Sequence, residues 1–493
     1  MSQLFCTVGI DIGTTSVKTL ALDYSGKEIS RGSCQLVMIH GEEGAAEQDP
    51  VSVYEAVLSA LADLVPKVKK MGYMIRQVGF SSAMHSLLLV SKEGKPLTHA
   101  MTWMDIRSKH QAGDLWLSKE GKSIYTRTGT PVHPMSPLPK LIWLRKEHPS
   151  LFGQAAKFVS LKEWIWYQWF HVWEIDASMA SATGLYNLVE GNWDELALSC
   201  ARVGPEQLSK VVATTYFRKD IQNEQMLSLG FDSHTAFNIG ASDGVLANLG
   251  LGAIGGDAMA ITIGTSCALR MGSLKPTTDI GTRSFCYVLD ADKFIVGGPS
   301  NSGGIVVERL HRQILGNSDR DLGQMLEEAG IVDTEEIICL PYLAGERAPI
   351  WNADAKAAWI GLQLHHTYAH VLRAAIEGIL LNAYWIASNL FEKIGKPLKL
   401  VASGGLLQVQ WVRQLLAQIF NIPVEYREEG DASTMGAIML AEMAVGIKAW
   451  NEISQTNGHI DMAMPDSEQH KRYQKKFKSF RHYARALELE KNE

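Results

Sequence analysis

The stretch CTVGIDIGTTSVKTLALD, residues 6–23, has a near copy far along the chain: DAMAITIGTSCALRMG, residues 257–272. In each, an apolar β-type run stops at a glycine followed by hydroxyl residues and then resumes as a strand. The two breaks are Gly13-Thr14-Thr15-Ser16 and Gly264-Thr265-Ser266. This is the pattern of a β-hairpin whose turn offers backbone N–H groups and hydroxyls to an anion. Two copies imply a duplicated architecture with two phosphate-gripping turns facing each other across a cleft. Only the first carries an acid, Asp11, and Lys18 adds a cation beside it. A hard cation such as Mg²⁺ prefers carboxylate plus water, so the expected site has one acidic, metal-holding side.

The 493 residues allow two or three domains with substantial cores. A hydrophobic content of 46% and a charged content of 20% are ordinary for a globular protein, and a net charge of −6 argues against general nucleic-acid binding. The six cysteines (Cys6, Cys34, Cys200, Cys267, Cys286, Cys339) form no close pairs, so metal-ligand and redox spacings are absent and a cytoplasmic location is expected. The chain enters a strand at once, and no signal peptide is expected. The aromatic run EWIWYQWFHVW, residues 163–173, is shorter than the ~20 residues a membrane span needs and is interrupted by Gln168 and His171. A buried helix packing Trp164, Trp169 and Trp173 is the better reading.

Strand-like runs at Cys6–Leu22, Met74–Phe80, Ser86–Val90 and Ala236–Gly240 alternate with helical stretches such as Pro50–Val68 and Lys140–Glu147. Such alternation means α/β, with chemistry expected at strand ends. The glycine-rich passage LGLGAIGGDAM, residues 249–259, suits a domain boundary or hinge. A second half follows, with strands at Phe294–Gly297, Leu398–Ala402 and Pro423–Tyr426. Its helices are expected at Thr367–Ile394, Val409–Phe420 and Thr434–Val445. From Lys471 the chain is strongly charged and reads as a surface helix.

In NIGASDGVLANLG, residues 238–250, a strand gives way to a helix at Ser242-Asp243. Ser and Asp are favoured N-cap residues, so capping and proton acceptance from a substrate hydroxyl both remain open for Asp243. The helix N-terminus is expected to keep its pKa low. Phosphoryl transfer tolerates so weak a base, because it depends mostly on positioning and charge neutralisation. In SSAMHS and TWMDIRS, His85, Trp103, Asp105 and Arg107 follow apolar runs. They read either as a core histidine with a surface ion pair or as a site for a small polyhydroxylated ligand. Gly303-Gly304 and Gly404-Gly405 sit after strands, where a nucleotide can lie against the backbone.

Taken together these elements resemble the FGGY carbohydrate kinases, over nearly the whole chain to about Trp450. Met135-Ser136-Pro137-Leu138-Pro139-Lys140-Leu141-Ile142-Trp143-Leu144 resembles the first family signature. The second is resembled by Trp359-Ile360-Gly361-Leu362, continuing through His370-Val371 to Ala374-Ala375-Ile376-Glu377. The resemblance implies two actin-like, ribonuclease-H-like α/β domains with ATP and Mg²⁺ in the cleft between them. The N-terminal domain, 1–248, would bind sugar and carry the first phosphate loop; the nucleotide-binding C-terminal domain would be 257–450, and 451–493 a charged helical tail. It also implies that Asp243 is the catalytic base and touches substrate, and that Asp11 is the metal-associated acid. Thr14, Thr15, Ser16 and Lys18 fall on the first phosphate loop, and Gly264, Thr265 and Ser266 on the second. Gly304 and Gly405 fall on nucleotide-side loops, and Met84, His85, Trp103 and Asp105 where the family meets its sugar.

Within the family, SSAMHS, TRTGTPVHPMSPL, NIGASDGVLANLG and YLAGERAPIWN are most similar to its gluconate-phosphorylating branch. This implies transfer of the ATP γ-phosphate to the 6-hydroxyl of D-gluconate. Such a substrate needs a cation or donors for its carboxylate, and His85, Arg107 and His133 are the candidates, each with a structural reading beside it. Two departures stand out: Met104 and Ile106 in place of smaller or polar residues, and Leu406-Leu407-Gln408-Val409 where the family has small, basic and polar ones. The rival substrates are xylulose or another pentulose. The rival of another class is a non-catalytic actin-like nucleotide sensor. The expected partner is a small sugar or sugar acid, with no nucleic acid or membrane, and the family makes a homodimer possible.

Overall fold

The computed structural model describes residues 3–316, 319–334, 336–427, 431–452 and 461–487. The first hairpin pairs Leu4–Ile12 with Ser16–Asp23 and sets Asp11 opposite Lys18. Glu28–Gln35 extends it on the antiparallel side. On the other side Tyr73–Ser82 and then Ala236–Ser242 join in parallel, with the short Phe217–Arg218 completing a six-stranded sheet. Ala236–Ser242 is buried along its whole length, as expected of a parallel strand covered on both faces.

The second hairpin, Ala258–Ile263 with Cys267–Ser273, repeats the scheme in a seven-stranded sheet. Lys293–Ser300 lies antiparallel on one side, and Lys399–Ser403 and Val424–Tyr426 lie parallel on the other. The duplication visible in the sequence is therefore a duplication of sheet topology. Each sheet carries a long helix: Pro50–Lys70, started by Asp49 accepting from the N–H groups of Val51 and Ser52, and Tyr368–Ile394.

The aromatic run folds as the helix Leu161–Phe170, closed at its start by a Ser160–Glu163 capping box. Trp164, Trp166 and Trp169 are buried. Trp173 lies beyond the left-handed His171 that ends the helix and stacks on Tyr167 at 4.0 Å, so it is not part of the helical face. Among the described residues no helix is long and apolar enough to cross a membrane.

Two features tie the halves together. The helix Ala432–Ala444 follows the second-sheet strand Val424–Tyr426 in sequence but packs on the first sheet, against Leu4–Ile12, Tyr73–Ser82 and the helix Asp243–Gly250. The approach is closer than side chains allow. A Cβ on Gly436 would stand 2.0 Å from the Leu246 carbonyl oxygen, and one on Gly250 2.1 Å from that of Ala432. Conversely, Phe285–Asp290 of the second sheet is clamped by the first half: Cys286 N–H donates to the Gly129 carbonyl, Val288 N–H to Ser181 Oγ, and Tyr125 Oη to the Ser284 carbonyl.

The charged tail is helical, Ser467–Ala486, but it is not a surface appendage. Asp461–Ala463 adds a strand to the second sheet, and Tyr473, Phe477, Phe480 and Ala484 enter its core. Buried Lys476 pairs with buried Glu377, which also accepts from Thr334 Oγ1 at 2.7 Å and Tyr473 Oη at 3.1 Å. The charge density that suggests a solvated face belongs to the other positions of this amphipathic helix. Residues 453–460 lie outside the described part of the chain.

Candidate active site

The parallel strands Leu4–Ile12, Tyr73–Ser82 and Ala236–Ser242 end at one edge, where register places Asp11 beside Ser81, and Ser82 beside Ser242. Carboxyl ends of parallel strands are where α/β folds present chemistry. Asp243 follows as the first residue of the helix Asp243–Gly250. Its Oδ1 accepts from Gly244 N–H at 2.7 Å. Burial first, and the charge of Asp11 second, push its pKa up to about 6, against the pull of the Gly244 N–H, Arg270 and the Met84 backbone N–H. The low pKa expected from the helix N-terminus is thus reversed: one turn of dipole is outweighed by desolvation and a neighbouring carboxylate. The result is a better base.

Asp11 accepts from Ser81 Oγ at 2.6 Å and from Ser433 Oγ at 2.8 Å. Burial raises its pKa more than those two hydrogen bonds and Lys18 lower it. Lys18 Nζ sits 3.4 Å from Asp431. The start of the cross-domain helix therefore meets the first phosphate turn. Among the described residues no group of three or more His, Cys, Asp or Glu side chains could hold a metal. Asp11 nevertheless fits Mg²⁺, which binds through one or two carboxylates and fills its shell with water and phosphate oxygens.

In the first turn Gly13 N–H donates to the Ser16 carbonyl at 3.0 Å, and Thr14 Oγ1 receives the Trp103 indole N–H at 3.1 Å. Thr15 is exposed, and the neighbouring Ser16 only partly covered. The second turn is braced by the Gly303-Gly304 loop: Gly304 N–H donates to the Gly264 carbonyl at 2.7 Å and Ile305 N–H to that of Thr265 at 3.1 Å. Ser266 ends this turn against Gly303, where a Cβ would come within 2.6 Å of the serine backbone. At Gly264 and Gly405 a Cβ would meet open space, which leaves room for a ligand against the backbone. Gly404, at φ +103°, makes the tight turn against Ile263.

At the sugar end the expected residues divide. Met84 lies against Gly244, next to Asp243. His85 holds a left-handed backbone, φ +70°, with Nδ1 2.7 Å from the Ala182 carbonyl and Nε2 3.4 Å from Tyr287 Oη. Such a backbone is held only where its surroundings fix it, here by the bond to the Ala182 carbonyl. Trp103 stands over the first turn.

Asp105 does not face the cleft. It is 1% exposed and spends its carboxylate on Arg107 and on Ala46 N–H. Its role is to hold the loop that carries Trp103. Arg107 is likewise committed, to Asp105, Glu42 and Glu47. Burial also pushes the pKa of His85 and of His133 down to about 3, so both imidazoles are neutral. None of the three expected carboxylate binders is therefore an available cation.

Sequence reasoning missed the groups that the second half brings to the cleft. Arg270 approaches Asp243, with Nε 3.3 Å from where a Gly244 Cβ would be. Arg347 lies with its guanidinium carbon 5.9 Å from the Trp103 ring. Arg270 follows the second turn in a strand that otherwise reads as structural, and Arg347 lies within YLAGERAPIWN. Both are placed by the docking of the two halves, which no local pattern encodes.

The model of the FGGY family of carbohydrate kinases matches as an N-terminal domain over residues 6–250 and as a C-terminal domain over residues 259–445. A curated gluconokinase of Bacillus licheniformis is 37% identical, covering 98% of this chain and 96% of its own. The crystal structure of a gluconate kinase from Lactobacillus acidophilus superposes with a TM-score of 0.93 at 36% identity, over 98% of both chains. A ligand-bound structure from the same organism, described as a xylulose kinase, gives 0.93 at 35% identity, again over 98% of both chains.

Proposed function

The chain belongs to the FGGY family of carbohydrate kinases, and on that footing we propose that it is a gluconokinase, transferring the γ-phosphate of ATP to the 6-hydroxyl of D-gluconate. The observation that carries the reading is the position of Asp243. Its carboxylate feels the charges of Asp11, beside the first phosphate turn, and of Arg270 from the second half, and Met84 lies against the neighbouring Gly244. The near-full-length similarity to gluconokinases supports the substrate.

In the proposed reaction the sugar acid lies along Trp103 with its terminal hydroxyl at Asp243. Asp243 accepts the hydroxyl proton as the oxygen attacks the γ-phosphorus. The N–H groups and hydroxyls at Gly13–Ser16 and Gly264–Ser266 hold phosphate oxygens, and the loops at Gly304 and Gly405 support the nucleotide. Mg²⁺, when bound near Asp11, would neutralise phosphate charge. Ser81 and Ser433 orient the Asp11 carboxylate. Ser433 opens the helix that the second half packs onto the first sheet, so that docking aligns this acid, while closure of the cleft would keep water from the γ-phosphate.

A coupled assay of ADP release with D-gluconate, D-xylulose, D-ribulose and glycerol tests the reading. The expected result is a kcat/KM for gluconate at least 100-fold above the others. Turnover of a pentulose with none on gluconate would replace it with the xylulose-kinase alternative that the 35%-identical neighbour keeps open.

A further inference from the structure

We propose, resting on the gluconate reading, that Arg347 binds the substrate's carboxylate and so selects a sugar acid over a neutral sugar. A carboxylate bound in a desolvated cleft needs a fixed cation, best a forked one. The cleft holds three guanidinium groups with no carboxylate within ion-pair distance among the described residues: Arg270, Arg283 and Arg347. Arg270 stands at the phosphoryl end, against Asp243 and Gly244. Arg283 is covered by two indoles, Trp116 at 4.5 Å and Trp351 at 5.2 Å.

Arg347 alone combines a free edge with a rigid mount at the sugar platform. Its Nε donates to Asn301 Oδ1 at 2.8 Å and its Nη2 to the Ser300 carbonyl at 3.2 Å, which leaves both N–H groups of Nη1 uncommitted. Its neighbour Glu346 supports the charge of Arg347 from close by but makes no side-chain ion pair with it. Glu346 is buried and spends its oxygens on Ser300, Ser302, Asn382 and the N–H groups of Asn301 and Arg347. That network fixes the backbone from which Arg347 projects. The guanidinium then faces Trp103, whose indole N–H is tied to Thr14 of the first phosphate turn. A gluconate laid along this line has its acid at Arg347 and its far hydroxyl at Asp243. Arg347 comes from the second half and Trp103 from the first, so the carboxylate also bridges the two domains.

The test is calorimetric titration of wild type, Arg347→Gln and Arg347→Lys with D-gluconate and with D-glucitol, the neutral alcohol of the same length. Wild type is expected to prefer gluconate by about 100-fold, R347Q to lose most of that preference, and R347K to recover part of it, as truncating one partner of a buried charge pair predicts. A purely structural role for Arg347 would weaken both ligands together. An unchanged preference in folded R347Q, or a preference lost in Arg270→Gln or Arg283→Gln instead, overturns the assignment while leaving the gluconate reading intact. A wild type that phosphorylates xylulose and binds gluconate no better than glucitol overturns that reading itself.

Discussion

In its proposed role as base, Asp243 serves the reaction at the expense of the fold. Its pKa of about 6 lies above the ordinary carboxylate value because burial and Asp11 disfavour its charge. The folded state therefore binds the proton more tightly than the unfolded chain, and stability falls as pH rises from about 4 to about 6. Asp243→Asn removes that cost. We expect the variant to melt at or above the wild-type temperature at pH 7.5 while losing about 10²–10⁴-fold in kcat. For wild type, kcat/KM with gluconate is expected to fall tenfold per pH unit below about 6, since only the deprotonated carboxylate accepts the proton; a profile flat to pH 5 would remove Asp243 from this role. The residue was legible in the sequence as a strand-to-helix acid, but its protonation behaviour was not, because Asp11 and the enclosing cleft are not its sequence neighbours. For Asp105 the motif position was visible in the sequence, while the engagement of its carboxylate by Arg107 and Ala46 was not.

At the scale of elements, strands and helices were largely readable because their periodicity is local. The two hairpins, the long helices and the strand before Asp243 fall where apolar patterning places them. What patterning could not show is which sheet each helix joins. Ala432–Ala444 is apolar on most sides because it is gripped by a sheet and a helix of the other half. Gly436→Val should therefore cost about 2–4 kcal/mol in chemical denaturation, since its Cβ meets a backbone carbonyl rather than a movable side chain. The tail helix gives a second test. Lys476→Met leaves Glu377 buried with one cation fewer, a loss of about 3–5 kcal/mol. Burial raises the Glu377 pKa, but Lys476 and Arg373 more than offset it and hold it below its usual value. Its contribution to stability is accordingly present at neutral pH and lost as pH falls below about 4.5, a loss that acid titration of the variant should no longer show.

At the scale of the whole molecule, the tail is part of the second domain. Removing residues 461–493 takes away a sheet strand and Phe480, and so uncovers Tyr342 and Trp385 in the core. Such a chain is expected to be recovered mainly as aggregate; a soluble product with wild-type melting behaviour would show the tail to be dispensable. The repeat at Gly13 and Gly264 announced two facing turns, and the geometry gives them different neighbours: Asp11 with Ser433 on one side, the Gly303-Gly304 loop on the other. The crossing at Gly250 and Gly436 has a mechanical meaning. Two backbones in direct contact leave no slack between the helices that join the halves, so anything added there shifts one half against the other. A methyl group wedged into that crossing would act as a doorstop, holding Arg347 away from Trp103 without touching either.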